Sequence, residues 1–178
     1  MINKEIQAQL LKKHNEFIKY ISGLSDDDFL FCLSGKWSVG QQVDHIYRSV
    51  KPLLMALKLP VWAIKWWIGR ANRPSKSYDQ LVAKYKHKLS EGGKAFGRFI
   101  PEEVNPKNRE TICRELHALV NKLVFRMGKY SESELDSIIL PHPLLGKITL
   151  REMMYFTIYH AEHHMKLAEK TLIEKNRS

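Results

Sequence analysis

Three histidines, His160, His163 and His164, fall within the segment Thr149–Lys170, TLREMMYFTIYHAEHHMKLAEK. Stepping by threes and fours picks out Met153, Thr157, His160, His164, Leu167 and Thr171, the core-facing stripe of a long last helix. His160 and His164 therefore point inward, and His163 sits at the stripe's edge. Residues four apart on a helix are offset by roughly 40° around the axis and one turn along it, so both rings can turn a nitrogen toward one metal ion. The same spacing also suits a core helix whose two neutral imidazoles each find a hydrogen-bond partner. A third ligand from another segment would decide between the two.

Other long helices must supply that ligand. Ile6, Leu10, Phe17 and Ile21 recur at helical spacing over 4–23, with His14 on the same stripe as a packing residue. Ser38 and Gln41 make a capping box that opens a helix over 38–57, whose seam is Val39, Val43, Ile46, Val50 and Leu53. His45 flanks that seam in line with Gln42, Ser49 and Ala56, and reads either as a boundary residue or as the third ligand if this helix neighbours the last one. A shorter helix over 77–91 opens at the Ser77/Gln80 box, and Ile112, Leu116, Leu119, Leu123 and Met127 mark another long one over 108–129, with His117 at its boundary. After a short helical piece, Pro141, Pro143 and Gly146 impose a turn, and the Thr149/Glu152 box starts the last helix over 149–174. No strand-like alternation, internal repeat or linker breaks the pattern. The expectation is one all-α domain over residues 1–178, a helical bundle.

The stretch LPVWAIKWWIGRANRPSK at 59–76 interrupts this scheme. Three exposed indoles would form an unusual patch, so Trp62, Trp66 and Trp67 are expected to be mostly buried against the bundle or a second subunit. Leu53–Ile68 is broken by Lys58, Pro60 and Lys65 and falls short of the ~20 apolar residues of a membrane span. Cys32 and Cys113 lie in apolar surroundings with no ligand-type spacing, and the N-terminus lacks the apolar run of a signal peptide. Reduced, buried thiols in a cytoplasmic protein are expected. A formal charge of +10 favours anionic partners. No helix-turn-helix, zinc-finger or base-stacking pattern supports nucleic acid among them.

WSVGQQVDHI at 37–46 and HPLLGKITLREMMYFTIYHAEHHMKL at 142–167, with the helices between them, resemble the DinB/YfiT-like superfamily, which includes bacillithiol- and mycothiol-dependent S-transferases. The resemblance spans nearly the whole chain. It implies a four-helix bundle, here with a short extra helix and the Trp-rich insertion, holding a divalent metal, nickel or zinc, on His45, His160 and His164. It also implies a small-molecule substrate and, as in many relatives, a homodimer.

HAEHH is not the HExxH metalloprotease pattern, because its acidic residue stands two positions after the first histidine. Glu162 projects away from the His160/His164 stripe, which argues against a general base there. An open three-histidine metal site can acidify a bound thiol or water. The leading expectation is thus thiol transfer to an electrophile, with a low-molecular-weight, anionic thiol as cosubstrate. The alternatives are a metal-dependent hydrolase and a non-catalytic metal- or partner-binding helical protein. No catalytic residue is assigned.

Overall fold

Helix starts in this chain are written in reciprocal hydrogen bonds, and the three capping boxes expected from sequence all form. The computed structural model describes residues 1–177, the side chain of Trp67 excepted. The Ser38 hydroxyl accepts from the Gln41 amide at 3.1 Å and the Gln41 side chain from Ser38 N–H at 2.9 Å, opening α3 (Val39–Ala56), which follows α1 (Asn3–Ser22) and the short α2 (Asp26–Leu30). Ser77 and Gln80 open α5 (Tyr78–Ser90), beyond α4 (Val61–Trp67) in the insertion. Thr149 and Glu152 open α8 (Leu150–Lys175), after α6 (Arg109–Met127) and α7 (Glu132–Ser137). Each box satisfies amide donors that a bare helix end leaves unpaired.

The four long helices α1, α3, α6 and α8 form the bundle. Helix α8 packs against both α1 and α3, and α6 closes the far side against the same two. The expected α3 seam, Val39, Val43, Ile46, Val50 and Leu53, is buried throughout, as are Ile6, Leu10, Phe17 and Ile21 of α1. On α6 the buried face is Cys113, Leu116, Val120, Leu123 and Met127, so the expected Ile112 and Leu119 stand at its margin. Leu167, expected on the α8 stripe, is 36% exposed.

Helix α3 meets α2 so closely that only glycine fits at the contact. A Cβ on Gly40 would lie 2.6 Å from Cε1 of Phe29, a ring with no solvent exposure and therefore no room to withdraw. Gly40→Ala is expected to cost about 2 kcal/mol, the usual scale of core overpacking, and to lower Tm by roughly 4–8 °C in a thermal melt.

The Pro141–Gly146 turn expected from sequence is the bend of a small antiparallel hairpin, β1 (Ile139–His142) with β2 (Gly146–Thr149), registered from Ile139 opposite Thr149 to His142 opposite Gly146. Four-residue strands are too short to show a period-two pattern, and this is why the sequence reads there only as a turn. The all-α class stands, since the hairpin is the only sheet among the described residues.

Two side-chain expectations fail. Cys32 is exposed rather than buried, while Cys113 is buried as expected. Trp62 and Trp66 are 72% and 83% exposed, against the expectation of burial. Helix α4 is anchored by Ile64, fully buried on the opposite side, so Trp62 and Trp66, one turn apart, face away from the bundle. The burial of Trp67 lies outside the described residues. None of the described helices is long and apolar enough to cross a membrane.

Candidate metal centre

The contact between α3 and α8 brings His45 against the His160/His164 pair. His45 Nε2 lies 3.1 Å from His160 Nε2, and His164 Nε2 lies 3.0 Å from the same atom. One nitrogen from each ring falls within 4.8 Å of the others, and all three residues are buried. The i, i+4 spacing on α8 places two rings one turn apart, and α3 delivers the third across the helix–helix seam, so the bundle core itself positions the set.

The outer nitrogens decide what this triangle can do. His45 Nδ1 donates to the backbone carbonyl of Phe99 at 2.6 Å, and His164 Nδ1 donates to the Gln42 side-chain oxygen at 2.5 Å. Both acceptors require the proton on Nδ1, which leaves Nε2 of each ring a bare lone pair aimed at the centre. Burial, reinforced by the neighbouring imidazoles, pushes the His160 and His164 pKa values well below the ordinary imidazole range; burial alone of these causes lowers His45, against the opposing pull of its bond to Phe99. Without an ion, a proton on His160 Nε2 can bridge to one of these lone pairs; with that proton on Nδ1 instead, three neutral nitrogens converge on one point, as the ligands of a cation do. The donor set fits a divalent metal of the zinc or nickel kind, and the two anchored outer nitrogens are the support such ligands generally have.

Aromatic rings enclose the triangle. Trp37 lies 4.9 Å from His45 and stacks toward His164 at 6.2 Å between centroids, while Phe156 stacks on His160 at 4.6 Å. Tyr85 of α5 stands edge-on at 6.2 Å from His160 and 6.1 Å from His163. His163 is only half-buried and lies outside the triangle, stacked on Tyr159 at 5.9 Å. Behind Phe156, at 4.2 Å, sits His142, whose Nδ1 accepts the Leu144 and Leu145 amides at 3.1 Å each. Those two bonds place the His142 proton on Nε2.

Sequence reading assembles His45, His160 and His164, and the structure brings those three together. It does not find their supports. Gln42 carries a signal in its position three residues before His45, on the same face of α3. Phe99 carries none, because a backbone carbonyl from an irregular loop acts without regard to side-chain type. His14 and His117 lie apart from the triangle, the first buried in α1 and the second exposed on α6. Glu162 is tied up by Lys13 and Lys166.

A helical bundle with three converging histidines from two of its helices defines a class of α-proteins whose core could hold a metal ion. Within it, the chain belongs to the DinB superfamily, whose family profile matches residues 9–168. No curated protein and no solved structure gives a match.

Proposed function

We propose that His45, His160 and His164 hold one divalent metal ion and that the centre activates a small thiol for transfer to an electrophile. The observation that carries this reading is the pairing of bare Nε2 atoms at the centre with Nδ1 atoms anchored on Phe99 and Gln42. A metal bound there supplies Lewis acidity, which lowers the pKa of a thiol so that thiolate is available near neutral pH. The chain's own part is to hold His45 and His164 in one tautomer and to exclude bulk water with Trp37, Tyr85 and Phe156. With only three protein ligands, positions remain for a substrate. Membership of the DinB superfamily supports the metalloenzyme reading.

The choice of an anionic thiol is supported by the basic balance of the chain and by Lys86, whose ammonium lies 5.6 Å over the Tyr159 ring that stacks on His163. A reducing, cytoplasmic setting suits both the free, exposed Cys32 and a thiol cosubstrate.

Protein purified without a histidine tag is expected to carry close to one zinc or nickel per chain by elemental analysis. The loaded protein should accelerate loss of thiol in the presence of a soft alkylating electrophile, and the chelated protein should not. Metal-dependent cleavage of an ester with no thiol requirement would instead make it a hydrolase. Full metal loading with neither reaction would favour the non-catalytic binding reading.

A further inference from the structure

The exposed indoles of α4 stand in a setting that the metal centre does not explain. Within the twelve residues from Met55 to Trp66, four large apolar side chains face solvent: Met55 at 59%, Leu59 at 44%, Trp62 at 72% and Trp66 at 83%. Trp62 and Trp66 are one turn apart on α4, so they share a side. The opposite side is pinned by Ile64, fully buried, with Val61 and Ile68 half-buried against the core. The helix is thus fixed to the bundle by its aliphatic face and presents Trp62 and Trp66 outward. Scattered single apolar residues are ordinary on a protein surface, but four in one short helix–turn–helix run are not.

The charge along this stretch of chain has one sign, although Glu134 of α7 lies within electrostatic reach of Lys65 on α4. From His45 to Tyr78 the chain contains no Asp or Glu and seven Lys or Arg. Of these, Arg48 pairs with Asp44 and Glu102, while Arg73 and Lys76 reach Glu152. Lys58 before α4 and Arg70 after it are exposed and form no ion pair among the described residues. Beside Arg70 opens a pocket of about 470 Å³, lined also by Arg73, Lys147 and Thr149. Its exposed cations, Arg70 and Lys147, offer a phosphate-sized anion two charges at a pocket that begins at Ile68, directly after α4.

We infer that α4 and its flanks dock on an anionic lipid surface, with Trp62, Trp66, Leu59 and Met55 entering the headgroup layer and Lys58, Arg70 and Lys147 meeting lipid phosphates. Indoles prefer that layer because their rings are apolar and their N–H groups polar, and cations around an inserted apolar face add attraction to acidic headgroups. A second copy of the chain fits less well. A two-fold contact sets the same patch against itself, so the unpaired cations of both copies, Lys58 and Arg70 of each, would be gathered into one desolvated interface. A nucleic-acid strand fits less well again, since Met55 and Leu59 offer bases no stacking surface.

The docking needs neither metal nor turnover and is testable on the intact protein. Wild-type chain should co-sediment with vesicles of phosphatidylcholine containing about a third phosphatidylglycerol, and its tryptophan emission should shift to the blue. Partitioning onto pure phosphatidylcholine should be much weaker, and added salt should release the protein. Lys58→Gln with Arg70→Gln should weaken binding roughly 30-fold, the effect of two juxtamembrane charges. Trp62→Ala with Trp66→Ala should weaken it at least roughly tenfold on the apolar area lost, while the far-UV spectrum and the metal content stay those of wild type. Failure of the wild type to bind anionic vesicles, or equal binding by the tryptophan variant, overturns the inference. So would a solution dimer that the tryptophan substitutions dissociate, or a nucleic-acid affinity that they abolish while vesicle binding persists.

Discussion

His160→Ala is expected to remove most of the bound metal and all metal-dependent turnover while leaving the bundle folded. His160 Nε2 is the atom that both other ligands approach, at 3.1 Å from His45 and 3.0 Å from His164. Its loss leaves two imidazoles, one on each helix, with the middle of the triangle empty. The affinity should fall by more than the roughly 10–100-fold that loss of an outer supporting partner costs. Gln42→Leu probes that smaller effect, because it frees His164 Nδ1 and with it the tautomer that points a lone pair at the centre. His163→Ala should leave metal content close to wild type, since that ring lies outside the triangle on Tyr159. The checks are elemental analysis after dialysis and a competition titration with a chromophoric chelator, with far-UV spectra to show that the helices persist. A His160→Ala protein that keeps its full metal would mean that the ion sits elsewhere.

The helices were legible because their ends and their faces were both encoded locally. Ser38/Gln41, Ser77/Gln80 and Thr149/Glu152 announce their starts in four-residue patterns, and the α1 and α3 seams repeat every three to four residues. The His160/His164 pair was legible for the same reason, as spacing on one helix. His45 was ambiguous from its own surroundings, because its role depends on which helix α3 packs against, and only the resemblance carried that information. The carbonyl of Phe99 could not be read at all, since any residue offers one. Trp62 and Trp66 were misjudged by the rule that a cluster of exposed indoles is unusual on a protein surface. That rule gives way where a short helix spends its inward face on Ile64 and leaves its outward face in solvent.

Acid should expose the histidine that the metal centre leaves out. His14 is fully buried in α1; its Nδ1 donates to the Leu10 carbonyl at 2.8 Å, and its Nε2 has no hydrogen-bond partner. Burial lowers its pKa from the ordinary 6.5 to about 4, outweighing the opposing pull of the Leu10 bond. Between those two values the unfolded chain binds the proton that the folded chain refuses, so stability rises with pH across that window. The contribution is complete above pH 6.5 and is lost as the pH falls to about 4. A shift of this size corresponds to about 3 kcal/mol. In His14→Leu the Leu10 carbonyl keeps its helical partner, the residue-14 amide, and an unsatisfied buried nitrogen disappears. The variant should therefore be at least as stable as wild type at neutral pH and should lose about 3 kcal/mol less on acidification. His142, also held at about 4 by burial and by Lys84, titrates in both proteins and cancels in the difference, as do the carboxylates. Urea unfolding of chelated wild type and His14→Leu at a neutral and an acidic pH measures it, and parallel losses in the two proteins would show that His14 titrates normally in the fold.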